Sequence, residues 1–188
     1  VVSTSGGLMV DGLVGPAAGP WKSVVARKMS PGVYSVWARS DATVCPSLSG
    51  SPSSPWQLVK SGATPSVTIR TQADSSTATD YGALASVCAS DGSLRAYRGA
   101  IRAIDDGAVQ RTVNEVPVEQ YLRSVIAKEM SPGWGDDGGG RGAQALQAQA
   151  VAARSYGLAE NRTAFAKTCD TTACQAYYGA ATRTSLGV

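Results

Sequence analysis

The side chains able to do chemistry in this sequence are limited by the absence of histidine among its 188 residues. Histidine is the commonest base at neutral pH and the commonest metal ligand. Catalysis is therefore left to carboxylates, hydroxyls, lysine or thiols. One carboxylate, that of Glu129, stands out by its place in the pattern of the residues around it.

Glu129 falls on the apolar stripe of a helix that we predict to begin at Pro117. Proline suits the first helical turn, because its missing N–H would have no partner there. At about 100° per residue, Glu129 lies near the middle of an apolar arc. Loss of hydration on such a stripe would favour the protonated carboxyl group that a general acid needs. The arc consists of Val118, Tyr121, Leu122, Val125 and Ile126.

A structural alternative explains the same position without catalysis. Glu129 lies near the end of the predicted helix, where it would lean out to solvent or form an ion pair with Arg154 or Lys128. Periodicity alone favours this alternative, because single outliers are common at helix ends. Residues 131–140 are full of helix breakers, so we predict a loop there.

A second helix is predicted from about Gly142 to Glu160, where alanine is abundant. It carries a narrow stripe suited to close packing, made of Ala143, Leu146, Ala150, Ala153 and Gly157. Two polar columns flank the stripe, Gln149 with Tyr156 and Gln147 with Arg154. These side chains could bind a sugar or orient Glu129, but the pattern alone favours an ordinary boundary between core and solvent.

The first half of the chain is predicted to be rich in β-structure. Short apolar runs separated by turn formers occur at residues 33–38, 56–60 and 66–71. Asp91 and Gly92 lie between the runs 84–89 and 94–101, which predicts a hairpin because both turn residues tolerate positive φ. One more strand is expected near residues 109–113, where apolar and polar residues alternate.

Length and composition favour one compact α+β unit. With 43% hydrophobic residues, the chain can bury one core or a core plus a small subdomain. We predict a β-rich part over residues 1–110 and a motif-bearing part over residues 111–188, in which two packed helices lie against a sheet. The net charge of +3 comes without a Lys/Arg run, so no nucleic-acid partner is expected. No apolar stretch approaches membrane-spanning length.

The cysteines indicate a disulfide-stabilised, exported protein. They form an even set in a chain rich in Ser, Thr, Gly and Ala. Three pairings are possible in principle and the sequence cannot choose among them; we favour Cys45 with Cys88 and Cys169 with Cys174. The first residues lack the features of an export signal, so we expect any signal to have been removed from a protein that is secreted or at the cell surface.

Three blocks in the second half resemble the bacterial SpoIID/LytB domain family. They read VPVEQYLRSVIAKEM at 116–130, ALQAQAVAARSY at 145–156 and CDTTACQAY at 169–177. A weaker upstream similarity at residues 91–99 is typical of actinobacterial members. The resemblance covers residues 112 to about 179, with its three blocks in the family's order.

The resemblance implies a role in peptidoglycan remodelling. Members act as lytic transglycosylases on glycan strands stripped of stem peptides, or as activators of cell-wall amidases. Glu129 matches the family's catalytic glutamate, and Gln149 and Arg154 match positions near that active site. Gln175 and Tyr177 match the block taken to line the glycan groove. The expected partners are therefore peptidoglycan strands and, for an activator, an amidase.

One catalytic carboxylate is enough for the activity that the resemblance implies. Ordinary glycosidases need two facing carboxylates, and no second one here has motif-like placement. In a lytic transglycosylase the muramyl 6-hydroxyl attacks the anomeric carbon and gives a 1,6-anhydro product, so Glu129 would serve as acid and then as base. Asp136 and Asp137 lie in the predicted solvated loop, and Asp170 is expected to cap a turn.

The sequence departs from the family pattern in three respects. Some relatives bind zinc through cysteines and histidines near the third block; this chain has no histidine, so we predict neither zinc nor another cofactor. Cys169 and Cys174 are then expected to form a local disulfide, with a reduced structural pair as the alternative. The glycine-rich loop is longer than usual, which suits a mobile lid over the glycan or a tolerated surface insertion.

The resemblance also implies further strands after Val188, so we expect a C-terminally truncated domain that could bind glycan without cutting it. Our second functional hypothesis is accordingly a non-catalytic wall-binding module that enhances an N-acetylmuramoyl-L-alanine amidase. A third is a purely structural β-rich domain, which rests on the first half of the chain.

Overall fold

A computed structural model of the protein describes residues 1–3, 5–43, 45, 52–89, 91–171 and 173–183. The chain forms two compact units. Unit 1 contains residues 1–115 together with the strand at 181–183, and unit 2 contains residues 116–180. Unit 1 is built from antiparallel strands and unit 2 from helices, which confirms the α+β class.

The described residues of unit 1 form ten strands and two short 3-10 helices, the latter at Gly15–Ala17 and Tyr81–Ala83. The strands are β1 Leu8–Val10, β2 Ser23–Ser30, β3 Val33–Arg39, β4 Gln57–Ala63, β5 Ser66–Thr71, β6 Ala85–Cys88, β7 Leu94–Tyr97, β8 Ala100–Asp105, β9 Gln110–Glu115 and β10 Ala181–Arg183. They make three antiparallel sheets, ordered β1-β5-β8-β9, β10-β7-β6 and β2-β3-β4.

The predicted hairpin at Asp91 and Gly92 is confirmed. β6 pairs with β7 so that Cys88 lies opposite Leu94, and Gly92 has a φ of 80°. The second strand is shorter than expected, because the chain turns at Gly99, whose φ of 76° is incompatible with a continuous strand. The predicted run 94–101 is therefore divided between β7 and β8.

The core of unit 1 follows from the position of each strand in its sheet. Residues 34–38 of β3, the central strand of its sheet, are all buried, so side chains on both faces of this strand are covered. In β5 the side chains of Val67, Ile69 and Thr71 are buried and the residues between them are more exposed. This alternation is the period of two that a strand with one core-facing side requires.

Two disulfides connect the four cysteines in the pairing that we favoured. Cys45 and Cys88 are bonded with 5.4 Å between their Cα atoms, and Cys169 and Cys174 are bonded with 5.6 Å between theirs. The first disulfide links two cysteines of unit 1 that are 43 residues apart in the sequence. The second closes a short loop of unit 2, where the two cysteines are 5 residues apart. The prediction of a disulfide-stabilised fold is confirmed.

Two neighbouring carboxylates fasten the turn between β8 and β9. Asp105 accepts hydrogen bonds from Lys28 Nζ at 2.5 Å and from the Gly32 backbone N–H at 2.7 Å. Asp106 accepts from the Val109 backbone N–H at 2.8 Å and from Arg111 Nε at 2.6 Å. The hydrogen bond from Val109, followed by that from Arg111, lowers the pKa of Asp106 from 3.8 to about 2.

Unit 2 contains the two predicted helices. α1 spans Val118–Glu129 and α3 spans Ala143–Ala159, and the two are in contact. The segment predicted as a loop instead forms a 3-10 helix at Pro132–Asp136 and a four-residue helix, α2, at Asp137–Gly140. The helix breakers keep these turns short: a proline begins the first, and two glycines with positive φ interrupt the second.

Gly142 shows how closely this connection packs before α3. A Cβ added there would lie 1.7 Å from the Trp134 carbonyl oxygen, so only glycine fits. Among the described residues, no helix has both the length and the apolar composition needed to cross a membrane.

The first disulfide should stabilise the protein more than the second. Loop-closure entropy predicts a loss of about 4 kcal/mol when Cys45 and Cys88 are both replaced by serine, and of about 2 kcal/mol for the same change at Cys169 and Cys174. Urea unfolding of both variants, followed by tryptophan fluorescence and circular dichroism, measures the difference. Equal losses would contradict this ranking.

Asp106 should make unit 1 sensitive to acid. A carboxyl group whose pKa is lowered on folding stabilises the folded state above its ordinary pKa of 3.8, and this contribution is lost as the pH falls toward about 2. Asp106→Asn should reduce the urea midpoint at neutral pH and flatten its decline between about pH 4 and 2. Glu115→Gln is the control, because Glu115 is an exposed carboxylate of the same unit. A decline as steep in Asp106→Asn as in the wild type would contradict the assignment.

Candidate functional site

Glu129 is the last residue of α1 and is exposed to solvent. This corrects the expectation of a buried acid. Tyr121, Leu122 and Val125 are buried as the helical projection predicts, but the helix ends at Glu129 and Met130 is already extended. An ideal helical projection places the last residue on the core stripe, whereas at a real helix end the stripe gives way to solvent.

One backbone donor holds the Glu129 carboxylate. The N–H of Ala176 donates to Glu129 Oε1 at 2.7 Å, across 47 residues of sequence. The acid of the first family-like block is therefore held in place by the third block.

Residues 175–179, which we call the docking segment, alternate between buried and half-exposed positions. Gln175, Tyr177 and Gly179 are buried, whereas Ala176 and Tyr178 are half-buried. The alternation is the period of two expected for extended backbone lying against a surface. We call the buried residues the inner row and the half-buried ones the outer row. Glu129 is hydrogen-bonded to Ala176 of the outer row.

The inner row of the docking segment packs on Tyr121. The Tyr121 hydroxyl donates to Gln175 Oε1 at 2.8 Å, and the rings of Tyr121 and Tyr177 lie 4.9 Å apart between centroids. Burial raises the pKa of the Tyr121 phenol, so the hydroxyl stays protonated and able to donate. These contacts attach the segment to the middle of α1.

Gly157 of α3 makes room for this arrangement. A Cβ added to Gly157 would lie 3.2 Å from Tyr121 Cε1 and 3.5 Å from Gln175 Oε1. The neighbouring small residue Ala153 is also buried. The small-residue stripe predicted on the second helix thus borders the tyrosine that carries the docking segment.

The outer row of the segment contacts the last turns of α1. The Tyr178 backbone N–H donates to Ser124 Oγ at 3.4 Å. The Lys128 ammonium lies 5.6 Å from the centroid of the Tyr178 ring. Lys128 and Glu129, adjacent in sequence, therefore both contact the outer row.

A cross-linked loop precedes the docking segment. The disulfide between Cys169 and Cys174 closes it, and the Cys174 backbone N–H donates to the Thr171 carbonyl at 3.0 Å. Arg162 donates to the Ala173 carbonyl at 2.8 Å and also pairs with Glu160. The turn just before Gln175 is therefore held by a disulfide and by a hydrogen bond from Arg162.

The other predicted site residues lie in different surroundings. Arg154 pairs with Glu119, at 2.6 and 2.7 Å to the two carboxylate oxygens, so the alternative of an ion pair between Arg154 and Glu129 is wrong. Gln149 is half-buried on α3, one turn before Ala153. The structure brings together Glu129 and the block that contains Gln175 and Tyr177.

Several contacts at the site were not predicted from the sequence. The Ala176 N–H is a backbone group, and no side-chain pattern marks such a donor. Tyr121 was included only as a member of the apolar stripe, and Lys128 only as a pairing partner for Glu129. The alternation over residues 175–179 is one of burial and not of residue type, so the sequence does not mark it.

The remaining acidic residues that the structure describes form no cluster of metal ligands. Asp136, Asp137 and Asp170 are all exposed. Within the part of the chain that the structure describes, no group of three or more histidine, cysteine, aspartate or glutamate residues could hold a metal ion.

Comparison with known proteins covers the residues of this site. The SpoIID family model, described as stage II sporulation protein, matches residues 105–187, which include Glu129 and the docking segment. Over these residues, which make up less than half of the chain, the protein is similar to the SpoIID family. That family is associated with sporulation and the cell wall, and with enzymatic activity related to peptidoglycan.

One curated relative extends the comparison. An uncharacterized protein of Brachyspira hyodysenteriae (strain ATCC 49526 / WA1) is 39% identical over 62 residues, which is 33% of this chain and 15% of that protein. The chain thus spans a small fraction of the relative's length. No solved structure matches the chain.

The hydrogen bond between Tyr121 and Gln175 should stabilise unit 2. Tyr121→Phe leaves the buried oxygen of Gln175 without its donor, which should cost about 1–3 kcal/mol in the free energy of unfolding. Urea unfolding, followed by the circular dichroism of the helices, measures this change in the free energy of unfolding. Tyr156→Phe is the matched control, because the Tyr156 hydroxyl is exposed and bonds only at 3.5 Å; it should change stability by less than about 0.5 kcal/mol. A similar loss in both variants would contradict the prediction.

Proposed function

We propose that this protein is a lytic transglycosylase that cleaves peptidoglycan glycan strands, preferably strands lacking stem peptides, with Glu129 as the acid/base. The observation that carries the proposal is the Glu129 carboxylate, which is exposed at a helix end and oriented by the Ala176 N–H. The match of residues 105–187 to the SpoIID family model supports the choice of a cell-wall substrate.

The proposed reaction needs one group that gives and then takes a proton. Protonated Glu129 donates its proton to the glycosidic oxygen as the bond to the muramyl anomeric carbon breaks. The muramyl 6-hydroxyl attacks that carbon, and the Glu129 carboxylate accepts the hydroxyl proton. The products are a 1,6-anhydro-muramyl end and a free hydroxyl on the departing sugar, and Glu129 is again protonated.

The Ala176 N–H supports this role by fixing one carboxylate oxygen. A glutamate has three side-chain torsions, so an exposed one is otherwise free to rotate away from a bound sugar. A reacting group held in a productive geometry avoids that entropic cost. The intramolecular 6-hydroxyl removes the need for a second carboxylate to act as the nucleophile or as a base for water.

Four further residues are proposed to serve glycan binding. Gln149 and Arg154 are half-buried on α3, and both carry N–H groups that can donate hydrogen bonds to sugar hydroxyls. Gln175 and Tyr177 are buried against Tyr121, so we assign them to supporting the wall of the groove. The two disulfides support a secreted or cell-surface location, because such bonds persist in oxidising compartments.

Replacing Glu129 tests the proposal. Glu129→Gln keeps the shape of the side chain and removes its acid, so release of anhydro-muramyl products from peptide-free glycan should fall by about 10²-fold or more. Mass spectrometry of the digest measures these products. Circular dichroism should show an unchanged fold, because the amide oxygen can still accept from Ala176.

The matched control is Glu115→Gln, which neutralises an exposed glutamate of unit 1 and should leave product release unchanged. Undiminished release by Glu129→Gln would reject the proposal. Stimulation of a purified cell-wall amidase by wild type and Glu129→Gln alike, with no anhydro products from either, would favour the amidase-enhancing module instead.

A further inference from the structure

Lys128 is a cation beside the proposed acid that forms none of the ion pairs of the described residues. Two arginines of the same unit are instead paired, Arg154 with Glu119 and Arg162 with Glu160. Lys128 is exposed in the last turn of α1. Its charge is therefore available to a ligand.

The structure also restricts where this charge lies. The ammonium is 5.6 Å from the centroid of the Tyr178 ring, within the range of a cation–π contact. The Tyr178 backbone is bonded to Ser124, and Ala176, two residues earlier, is bonded to Glu129. The same outer row of the docking segment thus places both the acid and the cation.

The chemistry of the substrate gives such a cation a role. A muramyl residue carries a lactyl ether on its ring. When a stem peptide is attached, the lactyl carbonyl is part of a neutral amide; once the peptide is removed, it becomes a carboxylate. The two classes of strand therefore differ by one negative charge on the sugar whose glycosidic bond is to be cut.

We infer that Lys128 binds the free lactyl carboxylate of a peptide-free muramyl residue and thereby selects stripped strands over peptide-bearing ones. This inference rests on the proposed function, because it assigns a specificity determinant to that site. The ammonium donates charge-assisted hydrogen bonds to the carboxylate. An amide at the same position offers a weaker, neutral acceptor and brings the bulk of the peptide.

A pair of strands that differ only in this charge tests the inference. One is peptide-free glycan with its lactyl carboxylates intact, and the other is the same glycan with those carboxylates converted to methylamides. Binding is measured by calorimetry in the Glu129→Gln background, which avoids turnover, and cleavage is measured in the wild-type background. We expect the carboxylate strand to be preferred by about tenfold in both.

Lys128→Met should remove this preference by lowering affinity for the carboxylate strand about tenfold while leaving the methylamide strand unaffected. Lys128→Arg should retain the preference, and Tyr178→Leu should weaken it because the ring no longer places the ammonium. Arg123→Met is the matched control, since Arg123 is an exposed cation on the same helix. The preference should also decrease with ionic strength.

The outcomes separate the two proposals. An undiminished preference in Lys128→Met, or no preference in the wild type, would overturn the role of Lys128 while cleavage that depends on Glu129 still stood. A preference for the carboxylate strand that Lys128→Met abolishes, in a protein that releases no anhydro products, would support the binding role and reject the transglycosylase.

Discussion

The hydrogen bond from the Ala176 N–H to Glu129 is the interaction on which the candidate site depends. It joins a helix end to a segment 47 residues later in the chain. Neither partner is fixed by its own local structure, because Glu129 is the last residue of α1 and Ala176 lies outside any helix or strand. Each restricts the other, so the carboxylate acquires a defined direction while remaining exposed.

The buried contacts of Tyr121 make that interaction possible. Tyr121 holds Gln175 by a hydrogen bond and Tyr177 by ring packing, and Gly157 leaves space for both. The disulfide just before Gln175 reduces the number of conformations open to the chain as it enters this contact. A well-packed inner row thus supports an outer row that is accessible to a ligand, as a functional site built on a rigid support requires.

The end of α1 combines two opposite charges that do not pair with each other in the described structure. Lys128 suits the negative end of the helix dipole, whereas Glu129 opposes it. A carboxylate at a helix C-terminus is a local conflict between sequence and structure, and such conflicts are expected where function sets the residue. The outer row compensates by giving the carboxylate a backbone donor and the ammonium an aromatic face.

The sequence by itself determined the main elements, namely the β-rich first half, the hairpin at Gly92 and the two helices. It also singled out Glu129 as the candidate acid through its family-like block. These follow from short-range periodicity, turn chemistry and local motifs. Only the tertiary structure decided that Glu129 is exposed, that Arg154 pairs with Glu119, and that Gln175 is buried against a tyrosine 54 residues away. Those features depend on contacts between distant segments and on where a helix stops, which an ideal helical projection does not contain.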